Sequence, residues 1–172
     1  MWTWDFIHDR TLEGRPMKLL SLVDEYTREC LALEVSGSIT AQDAIAVLGR
    51  QFLLRGAPGC LRSDNGPEFI AKAIQGWLDI ASVETLYVAP GSPWENGYAE
   101  AFHSRLRDEF LNVEEFISVK EAQALANIWR LDYNHERPHS SLGYLTPVEF
   151  RERCGQDVTT AGSEETRPKR EP

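Results

Sequence analysis

Apolar residues along this chain first cluster and alternate, then spread to helical spacing. Residues 2–8, "WTWDFIH", are aromatic and β-branched and predict a strand. Gly14-Arg15-Pro16 predicts a turn. Residues 17–27, "MKLLSLVDEYT", are nearly continuous in their apolar middle and predict a second strand, buried on both faces. Residues 29–36, "ECLALEVS", alternate and predict a third. Short connections make the three an antiparallel meander.

The period then lengthens. Thr40 is a plausible N-cap, and Ala44, Ile45, Val47, Leu48 and Phe52 recur at helical spacing to about Arg55, where Gly56 and Pro58-Gly59 stop the helix. Residues 60–64 predict a short strand, 67–82 a helix with Pro67 in its first turn, and 83–89 a fifth strand. The loop 90–97, "PGSPWENG", leads to a helix over 98–111. Another follows over 118–136, with Ser118 and Glu121 in capping-box spacing. The order is βββ-α-β-α-β and then helices. That is an α/β fold with a mixed five-stranded sheet, three antiparallel strands plus two parallel, flanked by helices. Residues 1–153 are expected to form one domain, and the polar stretch 154–172 a disordered tail.

Composition narrows the class. A chain of 172 residues with 42% apolar and 26% charged residues folds on its own core. No apolar run reaches about 18 residues, so no membrane span is expected, and the N-terminus has no signal-peptide pattern. Three cysteines, Cys30, Cys60 and Cys154, have no paired spacing, which fits a reducing cytosol. The net charge of −9 argues by itself against a nucleic-acid binder.

Three acids sit oddly. Asp5 interrupts an aromatic strand, Asp64 closes the fourth strand in "RSDNGPEF", and Glu100 opens the helix after the Gly/Pro loop. Each has an ordinary reading: a solvent-facing strand residue, an Asx-turn former, and a first-turn acid favoured by the helix dipole. Together they form a pattern, with 35 residues between Asp64 and Glu100. Converging carboxylates repel unless a cation neutralises them, and hard oxygen donors without a His or Cys cluster select Mg²⁺ or Mn²⁺. Glu100, His103 or Ser104, and Arg107 share one helix face.

With these residues in view, the chain resembles the catalytic core of the retroviral-integrase-like DDE transposases of bacterial insertion sequences. The resemblance covers about residues 1–152. It rests on "WTWDF", "LVDEYTREC", "RSDNGPEF", "GSPWENGYAEAFHSRLRDEF" and "YNHERPHSSLGYLTPVEF". It implies a ribonuclease-H-like fold, with Asp5, Asp64 and Glu100 as catalytic ligands of two Mg²⁺ or Mn²⁺ ions. It also implies phosphodiester cleavage at element ends followed by strand transfer, with no covalent protein–DNA intermediate. Arg107 would hold DNA phosphate, and Arg105, His103, Asn65 and Trp94 are further candidate DNA contacts. Expected partners are DNA, both element ends and target, and further copies in a dimer or higher multimer. No membrane or small-molecule substrate is expected, and the place is the cytoplasm, on the nucleoid when DNA-bound.

Relatives of this kind carry a helix-turn-helix segment before the core, and it is expected to be absent here. Local cations such as Arg62, Lys72, Arg105 and Arg107 would then give the acidic core weak, salt-sensitive DNA binding. Asp24 reads as an anchor of the turn into "TREC", with Arg28. His135 and His139 read as structural or DNA-contacting, because Pro138 breaks helical spacing between them. Trp2, Trp4, Trp77 and Trp129 read as core. The alternative function is a catalytically silent ribonuclease-H-like remnant that assembles subunits or DNA. A ribonuclease H proper fits the closing stretch less well.

Overall fold

The central strand of the sheet is β1, Trp2–Arg10, and its alternation sets the two faces of the molecule. The computed structural model describes residues 1–64, 71–88 and 97–154. β2 (Pro16–Asp24) runs antiparallel to β1 along its whole length, from Trp2 opposite Asp24 to Arg10 opposite Pro16. β3 (Cys30–Ser36) pairs antiparallel with β2 at one edge. β4 (Cys60–Ser63) lies parallel to β1 on its other side, and β5 (Glu84–Tyr87) parallel to β4. The order β3-β2-β1-β4-β5 is the mixed sheet expected from the pattern.

On one face, Trp2, Trp4, Leu20 and Leu22 pack against helices α1 (Ala41–Arg55) and α2 (Lys72–Ile80). α1 starts where expected. The Thr40 hydroxyl accepts from the Asp43 N–H and the Asp43 carboxylate accepts from the Thr40 N–H at 2.8 Å, a complete capping box. Gly56 ends the helix at φ 81°, a value other residues adopt only with strain. The start expected for α2, including Pro67, lies outside the described residues.

On the other face, Ile7, Leu19 and Val23 meet Phe102 and Leu106 of α3 (Gly97–Leu106) and Trp129 and Tyr133 of α4 (Val119–His135). The helix expected over 98–111 changes pitch at Arg107. Arg107–Leu111 form a π turn closed by the Asn112 N–H on the Arg107 carbonyl at 2.8 Å, which brings both Phe110 and Leu111 into the core. At the start of α4, Ser118 accepts from the Glu121 N–H. Glu121 in turn reaches the Ile117 N–H at 2.7 Å, one residue earlier than a capping box requires. Trp2, Trp4 and Trp129 are buried, and Trp77 is half-buried against Phe52.

Two polar devices join elements distant in sequence. Side-chain amides of α4 satisfy the outer edge of β3. Asn134 accepts from the Cys30 N–H at 2.8 Å and donates to its carbonyl at 2.9 Å, while Gln123 accepts from Val35 N–H and donates to the Leu33 carbonyl. The helix thus blocks a strand edge that would otherwise template pairing. The second is Glu29, buried beside β3, which holds Arg55 of α1 and Arg151 of a helix over residues 147–154. The tail from residue 155 lies outside the described residues.

Candidate active site

Asp5 leaves β1 on the α3 face, the same side as Ile7, because side chains alternate along the strand. Ser21 of β2 stands opposite it. One Asp5 oxygen accepts from the Phe6 N–H at 2.7 Å, and the other lies 3.4 Å from Nδ1 of His103. Nε2 of the same imidazole meets the Ser21 hydroxyl at 2.9 Å. Burial, aided by the Arg107 guanidinium, pushes the His103 pKa down to about 4, so the long approach to Asp5 does not hold a second proton at neutral pH. In the neutral ring, the carboxylate favours the proton on Nδ1, which leaves Nε2 to accept from Ser21.

Asp64 follows directly on β4 and is exposed. β4 pairs with β1 as Trp2 to Leu61 and Thr3 to Arg62. Carried two residues on, that register sets Asp64 level with Asp5, on chains about 4.8 Å apart and on the same face. The candidate DNA contacts Asn65 and Trp94 lie outside the described residues.

Glu100 is exposed in the first turn of α3, one turn before His103. Among the described residues no three of His, Cys, Asp and Glu stand close enough to hold an ion together, so Asp5, Asp64 and Glu100 are not drawn into one cluster. The donor set nonetheless suits a hard divalent cation: two carboxylates level on adjacent strands, and a third on the helix that covers them.

The other candidates divide. Arg107 is exposed at the head of the π turn, on the Glu100 side of α3. Arg105 is exposed on a different face of that helix. His103, read from sequence as a DNA contact, has its ring between Ser21 and Asp5, with only 15% of the side chain exposed. Arg62, read as a local phosphate contact, has its guanidinium 3.3 Å from the buried Glu25 carboxylate. Burial raises the Glu25 pKa, and Arg62 opposes that rise. Asp24 lies on the opposite face from Asp5. It accepts from Trp2 Nε1 at 3.2 Å and from the Tyr26 N–H at 2.8 Å, anchoring the turn and ending β2 before the expected residue 27. His139 is buried against the Tyr133 ring, whereas His135 is exposed. Sequence reading missed Ser21 as a partner of His103. A serine in an apolar strand carries no signal until its neighbour across the sheet is known.

Residues 1–93 match the family model described as integrase core domain, and residues 81–147 match a second model of the same description. The chain belongs to the integrase core domain family. Among curated relatives, the insertion element IS407 uncharacterized 31.7 kDa protein of Burkholderia multivorans is 37% identical over 95% of this chain and 60% of its own length. The transposase InsF for insertion sequence IS3A of Escherichia coli is 29% identical over 87% of this chain and 52% of its own. The chain therefore spans about half the length of the curated relatives it matches. Among solved structures, the catalytic core domain of BIV integrase superposes at a TM-score of 0.63, with 22% identity, 91% coverage of this chain and 97% of that one. The HTLV-2 integrase catalytic core in complex with magnesium superposes at 0.55, with 18% identity, 87% and 92% coverage. These likenesses establish the integrase-core, ribonuclease-H-like fold. No helix among the described residues of this integrase core is long and apolar enough to cross a membrane.

Proposed function

We propose that this integrase core is the catalytic part of a DNA transposase that cuts phosphodiester bonds at element ends and joins the freed 3′ ends to target DNA. What supports the reading is the parallel pairing of β1 with β4, whose register, carried on, sets Asp64 just past β4 level with Asp5, beside the helix that bears Glu100 and leads into Arg107. The names of the relatives point the same way. Asp5, Asp64 and Glu100 are the residues that would hold divalent cations, Mg²⁺ or Mn²⁺. When bound, such ions activate an attacking oxygen and stabilise a leaving one.

The chain's own residues then have distinct tasks. His103, itself held by Ser21, and the Phe6 N–H fix the rotamer of Asp5. Asp64 supplies the second carboxylate edge. Arg107, one turn beyond His103, orients a non-bridging phosphate oxygen through its forked donors. Water or a DNA 3′-hydroxyl is the nucleophile. DNA ends, target DNA and further copies of the chain are the proposed partners, in the bacterial cytoplasm. The test is metal-dependent nicking and strand transfer by the complete protein on element-end DNA. Asp64→Asn and Glu100→Gln are each expected to abolish both steps, and retained activity in either would sink the assignment.

One observation favours a second reading, a catalytically silent assembly module: among the described residues Asp5, Asp64 and Glu100 do not form one metal-holding group. Mn²⁺ titration followed by calorimetry separates the two. Binding that is lost in Asp64→Asn supports the enzyme, and no binding supports the module.

A further inference from the structure

α3 has two polar flanks. At 100° per residue, Glu100, His103 and Arg107 run down one side of its buried stripe, Ala99, Phe102 and Leu106. Tyr98, Ala101 and Arg105 run down the other. This second flank borders a cavity of about 410 Å³, within the usual range for ligand pockets, with Val23, Phe102 and Tyr133 in its apolar lining. Two guanidiniums face it. Arg28 stacks on the Tyr98 ring, 3.9 Å from its centroid, and Arg105 stands on the same wall.

Neither arginine meets a carboxylate among the described residues. Nη1 of Arg28 is inaccessible and has no hydrogen-bond partner. Arg28 also holds φ at 63°, a strained value for a residue with a side chain, at the turn that Asp24 anchors. In a chain of net charge −9, two guanidiniums without a direct ion pair among the described residues, beside an exposed aromatic ring, form a recognition surface for an anion with a flat apolar body.

We propose that this pocket is a nucleotide subsite, in which an unpaired base of a DNA strand stacks beside Tyr98 and its phosphate lies between Arg28 and Arg105. The proposal rests on the reading of the chain as acting on DNA. The pocket lies across α3 from Asp5 and Glu100, a helix width of about 10 Å away. A strand crossing the helix would thus be held on one flank while its phosphodiester reacts on the other. Stacking on an aromatic ring with arginine support suits single-stranded ends and tolerates any base.

The test uses the 172-residue chain and a DNA duplex with a short single-stranded overhang containing 2-aminopurine. Binding is expected to quench the probe. Tyr98→Ala should lose the quench and weaken overhang binding about tenfold, with blunt-duplex affinity unchanged, and Tyr98→Phe should restore both. Arg105→Glu should weaken overhang binding by about the same factor. Lys120→Glu, on exposed α4 surface, should change it less than twofold. Melting curves confirm that each variant is folded. Equal weakening by Lys120→Glu and Arg105→Glu would reduce the site to general electrostatics and overturn the proposal. So would a quench retained in Tyr98→Ala, or no overhang binding by the wild type. Cleavage by the complete protein reports separately on the catalytic reading, and its failure would leave the fluorescence result standing.

Discussion

Nδ1 of His103 stands 3.4 Å from the Asp5 carboxylate while its Nε2 meets Ser21 at 2.9 Å, so one imidazole bridges two adjacent strands at the head of the candidate site. A part-buried strand carboxylate on the α3 face needs such a partner, because burial without one is costly. The arrangement gives α3 a fixed rotational setting over the sheet, and with it the direction of Glu100.

His103→Ala is therefore expected to lower strand cleavage by the complete protein by about 10- to 100-fold, as loss of a residue that orients a ligand does. His103→Asn, which can still donate to Asp5, should recover part of it. Cleavage rates alongside melting curves check this. An Ala variant as active as wild type would remove the positioning role.

Glu29 is the junction of three elements. Its carboxylate, 4% exposed, takes two bonds from Arg55, at 2.6 and 3.0 Å, and two from Arg151, at 2.8 and 3.0 Å. Glu29→Ala leaves Arg55 and Arg151, each part-exposed, without their shared partner and should cost about 1–3 kcal/mol in urea unfolding. A loss below about 1 kcal/mol would show that the pairs are solvated.

Asn134 and Cys30 bond through both peptide groups of the strand residue. Asn134→Leu strands the buried Cys30 N–H, leaves the carbonyl only its 3.5 Å bond from Arg130, and is expected to cost about 1–3 kcal/mol. It should also speed hydrogen exchange at the Cys30 amide. Exchange at wild-type rate would mean that another donor replaces it.

His139, like His103, contributes to the acid side of the stability curve. Burial first, then the charges of Arg105, Arg28 and Arg137, hold its pKa down to about 4, against an ordinary 6.5. The unfolded chain therefore binds the extra proton more readily. The contribution of neutral His139 is complete above pH 6.5 and is lost as pH falls from 6.5 toward 4. His139→Phe keeps the edge contact with Tyr133 and removes the proton. Its urea midpoint should fall less between pH 7.5 and pH 5 than that of the wild type. Parallel losses in both proteins would assign the acid sensitivity elsewhere.

Much of this molecule was legible as a string, and the reason is local. Strand alternation, the Thr40 cap, the Gly56 stop and the apolar run of β2 are set by neighbours a few residues apart, so their periods announce the sheet and the helices. The spacing of Asp5, Asp64 and Glu100 likewise announced a candidate site through resemblance. The Ser21–His103 contact joins residues 82 apart, and Asn134 meets Cys30 across 104. Neither has a sequence period, because each depends on how α3 and α4 settle on the sheet. The placement of the acids shows the same division. Their order belongs to the chain, but the register that runs on from Thr3 and Arg62 toward Asp5 and Asp64 comes from the pairing of β1 with β4, and the place of Glu100 from the way α3 packs on the sheet.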